Sequence, residues 1–213
     1  CRGRLRTPRE RATGFVMARA RHTRPKAQRR SDAAFAGLWH AGWAVAIAAV
    51  TGFLAAGGRL AEGPELAALA SVGAAALLGA VLSQAGAVGR TVAVLTWAIA
   101  GTGASHLTGG IAGPLAVWCL APAAAAAAFH RRELLALGAA AALASAAVTA
   151  LDTALFALPG TATALVPWLS LTALGTLTLG FAAGLVGFQG AVKRDARRGE
   201  RADRALALLA RQP

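Results

Sequence analysis

Between residues 33 and 192 few side chains could bind a proton, a cation or a small polar ligand, and two of them could meet. Asp152 is an acid inside a long apolar stretch, and His106 stands near the end of another, at a similar depth. A carboxylate in such a setting is costly, so it turns to a bundle interior, a water-filled cavity or the interface. Paired with an imidazole, it could hold a proton, a cation or a small polar ligand. His106 and Asp152 are therefore the candidate sensing or ligand residues, and the same positions also suit groups that only reach the interface. His22, His40, His106 and His130 are scattered, with none of the i, i+4 spacing that holds a metal. Ser105 and His106 are neighbours in sequence and point to different faces, a poor nucleophile and base. Nucleophile-elbow, phosphate-loop and zincin strings are missing. No catalytic residue, metal ligand or cofactor is assigned.

The elements that must position the pair are apolar helices. The chain has 213 residues, 56% of them hydrophobic, and residues 33–192 include only eight charged side chains, mostly in short gaps. A bilayer crossing takes roughly 20 mostly apolar residues, and six stretches qualify: 34–56, 66–84, 91–107, 111–129, 134–157 and 164–188. A soluble alanine-rich bundle would need a polar face on each helix, and none has one. The fold expected is all-α, a polytopic membrane helix bundle of six transmembrane helices. Gln84, Trp39, His40, Trp43 and Trp168 fall near span ends, where amphipathic rings prefer the headgroup zone; Trp97 and Trp118 lie deeper.

The gaps orient the bundle. Eleven of the 22 basic residues precede Ser31 and seven follow Val192. The gaps with Arg90 and with Arg131 and Arg132 are basic, while the alternate gaps are neutral or carry Glu62 and Glu65. The positive-inside rule then places both termini of the multi-pass bundle on the cytoplasmic side of its membrane. Three regions result: a basic tail over 1–32, a transmembrane domain over 33–189 and a cytoplasmic linker helix over 190–213. Met17 is the only methionine and is read as the start, which would put residues 1–16 upstream of it. The basic tails suit the lipid bilayer and its anionic headgroups, at about 1 kcal/mol per residue near the surface. Phe15 is the tail's lone aromatic, so stacking on nucleic acid is not expected.

Gly180 and Gly184 are spaced for close helix packing. The most distinctive string is Gly109-Gly110-Ile111-Ala112-Gly113-Pro114, continuing through Trp118 to Pro122. An interior proline removes a backbone hydrogen bond, so Pro114 and Pro122 are expected to kink the fourth span into a moving part. This Gly-Gly-x-x-x-Pro-x-x-x-Trp-x-x-x-Pro pattern, followed by the basic turn His130-Arg131-Arg132, resembles the membrane input region of alphaproteobacterial sensor histidine kinases of the DivJ/PleC kind. Those regions often carry a serine before the first proline, where Gly113 stands here.

The resemblance implies a sensory and anchoring region of a two-component kinase, without the kinase core. It would be a homodimer and would reach a response regulator only through domains beyond residue 213. Neither a phosphoacceptor string nor an ATP-binding box occurs among these residues, so the chain itself is not expected to be an enzyme. Val192, Ala196, Ala202, Leu206 and Leu209 form a broken apolar stripe suited to a signalling helix. Two other readings stay open: a small transporter or channel component using Asp152 and His106, and the input domain of a cyclic-dinucleotide enzyme.

Overall fold

The structure, a computed structural model, describes residues 26–59 and 63–209. The chain divides into Cys1–Asp32 and Ala33–Pro213, and only the first turns of one helix are described in the former. Among the described residues the regular elements are all helical. They are α1 (Lys26–Ala56), α2 (Pro64–Leu82), α3 (Gly86–Leu107), two 3-10 turns (Gly110–Ala112 and Ala116–Leu120), α4 (Ala121–Ala128), α5 (Arg132–Leu155) and α6 (Val166–Leu209).

Four of these helices are long and apolar enough to cross a membrane: Ser31–Ala56 of α1, Pro64–Leu82, Arg132–Leu155 and Val166–Arg201 of α6. Helix α3 has 22 residues, but Arg90, Thr91, Thr96, Thr102 and four glycines dilute its apolar content. The expected fourth span differs most. Instead of one kinked helix over 111–129, the chain makes two 3-10 turns and an eight-residue helix, leaving Ala116–Ala128 as a short apolar segment. Pro114 falls between the two 3-10 turns, and Pro122 lies in the first turn of α4, where its missing N–H costs nothing. Neither proline kinks a continuous helix.

Many alanines face inward and many leucines outward. Ala36, Ala68, Ala76, Ala93, Ala104 and Ala124 are fully buried, whereas Leu38, Leu77, Leu143, Leu171 and Leu179 are among the exposed large apolar residues. Helices that gain nothing from hiding leucine in a hydrocarbon solvent associate through small residues that let backbones approach. The largest side chains inside are tryptophans, beside leucines such as Leu69 and Leu115. Trp39 and Trp43 pack on Trp97, with ring centroids 6.0 and 4.7 Å away, and Trp43 also faces Trp118 at 6.5 Å. Trp39, His40 and Trp43, expected at an interface, are therefore interior residues. Trp168 remains exposed, with Phe53 beside it and the Arg59 guanidinium 5.4 Å above its ring.

Glycines set how closely α6 approaches the rest. A Cβ at Gly180 would lie 2.7 Å from Trp43 Nε1, one at Gly184 would lie 3.0 Å from the Ala127 Cβ, and one at Gly187 would strike His130. The Trp39 indole donates to the Gly180 carbonyl at 2.9 Å, so α1 is fastened to α6 where that glycine leaves room. The small residues of the sixth helix are thus used within the chain. Beyond Phe188 the same helix runs on, now charged, to Leu209.

Two ends of the bundle can be told apart by their contacts. At one, Gln84 donates to the Ala33 carbonyl at 3.1 Å, and Arg90 Nε donates to the Ser83 carbonyl at 3.4 Å. Arg90, expected in a gap, belongs to α3 and is buried, where its charge answers the exposed carbonyls ending α2. At the other end, Glu65 accepts from the Ala162 N–H at 3.3 Å and Thr161 donates to the Thr108 carbonyl at 3.1 Å. These two bonds fold the 157–165 connection over that end.

Candidate functional site

The two acid–base candidates come together. His106 lies in the last turn of α3, Asp152 in the last turn of α5, and Nδ1 stands 3.4 Å from Oδ2. Their side chains are 44% and 27% exposed. They close one end of a groove of about 690 Å³ between α3 and α5. The pair therefore opens on the flank of the bundle. The interior beside it is filled by Trp97, Trp118, Leu115 and Leu69, all fully buried.

Behind the pair runs a polar chain that hydropathy could not show. Ser105, one residue before His106, points inward. Its hydroxyl faces the carbonyls of Gly101 at 2.8 Å and Leu115 at 3.2 Å, and the Cys119 thiol at 3.4 Å. Cys119 Sγ lies 3.3 Å from Thr149 Oγ1. With the serine proton on Gly101, the thiol donates to serine and Thr149 donates to sulfur, so every group in the row is served. Three elements, α3, the second 3-10 turn and α5, are joined in this way by side chains that are all buried.

The glycine-rich string shapes the same region. Gly109 and Gly110 have φ of 102° and 68°, a left-handed backbone that glycine adopts without strain. Thr153 Oγ1 accepts from the Ile111 N–H at 3.0 Å and donates to the Thr149 carbonyl at 2.7 Å, pinning the turn to α5 one residue from Asp152. A Cβ at Gly113 would strike the Thr108 carbonyl, and one at Gly101 the Trp118 carbonyl. Both glycines are needed for close approach. Trp118 then reaches past the turn, its indole donating to Thr176 Oγ1 on α6 at 3.1 Å.

Sequence reasoning missed Ser105, Cys119, Thr149, Thr153 and Glu65. Small hydroxyls on apolar helices commonly bond their own preceding turn, so their type alone does not mark a network. Glu65 reads in the sequence as a charge in a gap, yet it is buried in the first turn of α2, where a carboxylate meets the positive end of the helix dipole. Among the described residues no group of three or more His, Cys, Asp or Glu side chains could hold a metal ion.

Comparison with known proteins gives one informative likeness. Over 94 residues the chain is 44% identical to histidine protein kinase DivJ of Caulobacter vibrioides; the match covers 44% of this chain and 16% of that kinase. No protein-family description matches the chain, and no solved structure does. Similarity to a histidine kinase, confined to a small part of it, together with apolar helices, fits a membrane sensor region of a kinase.

Proposed function

We propose that the chain is the sensory and anchoring region of a two-component sensor histidine kinase, embedded in the bacterial inner membrane. The observation that carries this reading is the 44% identity to DivJ over 94 residues. The architecture supports it. Six passes are made by α1, α2, α3, the broken segment with α4, α5 and the apolar part of α6, with the basic residues at both termini, Arg90 and Arg131 on the cytoplasmic side. Helix α6 runs unbroken for 44 residues, from inside the bundle to Leu209, and is the natural output element. The chain does no phosphoryl chemistry; it holds anionic headgroups with its basic flanks, pairs with a second copy, and acts on a response regulator through kinase domains C-terminal to it.

The contacts support a mechanism. A change at the flank where His106 meets Asp152 displaces the ends of α3 and α5. The Ser105–Cys119–Thr149 row ties those ends to the broken segment, and Trp118 ties that segment to Thr176 on α6. A segment of 3-10 turns moves more readily than a continuous helix, because its hydrogen bonds are poorer. The filled interior around Trp97 and Trp118 favours a sensor over a conduit. Reading the gene past Pro213 tests the proposal. In-frame phosphoacceptor and ATP-binding domains are expected, and an immediate stop codon would overturn it.

A further inference from the structure

We propose that the groove between α3 and α5 is a binding site for an amine-headed phospholipid, with one acyl chain in the groove and the ammonium on His106 and Asp152. This rests on the chain lying in a bilayer and is independent of any domain beyond Pro213.

The groove has the dimensions of one leaflet. Its α3 wall runs from Leu95 to His106, about 17 Å at 1.5 Å per residue, against roughly 15 Å for half the hydrocarbon core. Leu95, Ile99, Gly103, Ala144 and Val148 supply apolar lining, and His106 with Asp152 closes the end. A chain entering sideways from the bilayer meets mostly apolar surface, with Thr102 and Ser145 among its lining, and a polar pair where its headgroup stands.

The chemistry of that end selects the headgroup. Nδ1 of His106 faces Oδ2 of Asp152 at 3.4 Å. The contact uses one carboxylate oxygen and leaves Oδ1 without another partner among the described residues. The site thus offers a carboxylate oxygen as acceptor, and a ligand must bring donors. A primary ammonium brings three N–H groups, a choline headgroup brings none, and a glycerol headgroup brings no positive charge.

Gly103 supplies the control. A Cβ there meets nothing within 4 Å, so leucine at this position occupies groove space and leaves the backbone undisturbed.

Native mass spectrometry of the purified chain, titrated with phosphatidylethanolamine or with phosphatidylcholine of identical acyl chains, tests the site. The wild type should hold the ethanolamine lipid about tenfold more tightly, as hydrogen bonds to a charged group allow. Asp152→Asn should remove that preference, and Asp152→Glu should keep part of it. Gly103→Leu, or Ala144→Leu from the facing helix, should weaken both lipids by a similar factor. Thermal unfolding in the same detergent identifies a variant that fails to fold, and the other groove variant then decides. Equal binding of both lipids to the wild type, a preference that survives Asp152→Asn, or binding unaffected by a filled groove would each overturn the proposal.

Discussion

The Trp118 indole donates to Thr176 Oγ1 across 3.1 Å, and this bond joins an irregular segment to the long helix that leaves the bundle. Thr176 is itself anchored, donating to the Thr172 carbonyl at 2.7 Å, so its position tracks the axis of α6.

Replacing Thr176 by valine keeps the shape and leaves a buried indole N–H unserved. The expected cost is about 1 kcal/mol, within what interhelical hydrogen bonds in membranes are worth. It should appear as a lower midpoint when the purified chain is unfolded in mixed micelles with increasing SDS. A midpoint equal to the wild type's would show that the indole is satisfied elsewhere.

Gly101 and Gly103, two residues apart on α3, should respond oppositely to alanine. At Gly101 the added Cβ strikes the Trp118 carbonyl, while at Gly103 it meets open space. Gly101→Ala should therefore destabilise by roughly 1–3 kcal/mol, as overpacking does, and Gly103→Ala should be neutral or stabilise by up to about 1 kcal/mol through helix propensity. The same SDS titration measures both, and equal responses would mean that Trp118 does not pack on α3 as described.

Much of the helix pattern is legible in the sequence. The expected stretches 66–84 and 134–157 correspond to Pro64–Leu82 and Arg132–Leu155, because continuous apolar runs bounded by Gly, Pro and charge leave little choice. Which side of each helix faces in is not legible. In lipid both faces are apolar, so the periodicity that sorts core from surface in water is weak. Trp39 and Trp43 show the consequence: indoles suit an interface and a core equally, and here glycine at position 180 admits them to the core. The proximity of His106 and Asp152 is inferable from matched depth. The row through Ser105, Cys119 and Thr149 is not, since it depends on the turn that Gly109 and Gly110 make.

Orientation is open to a direct check. Alkaline phosphatase fused after Gly58 or Gly160 should be active, and green fluorescent protein fused after Gln84 or Arg131 should fluoresce, because the proposed topology puts the first pair at the external end and the second at the cytoplasmic end. Phosphatase activity at Gln84 equal to that at Gly160 would contradict six passes with both termini inside.

Control of a kinase through α6 requires that the rotational phase of that helix matters. Joining residue 209 to the catalytic part of DivJ and measuring autophosphorylation in membranes tests it most directly, with one to seven residues inserted after Lys193. Each insertion turns the downstream helix by about 100°, so activity should rise and fall with insertion length and return near seven residues, about two full turns. Activity that stays level across the series, and equal to that of the catalytic part alone, would rule out control through α6.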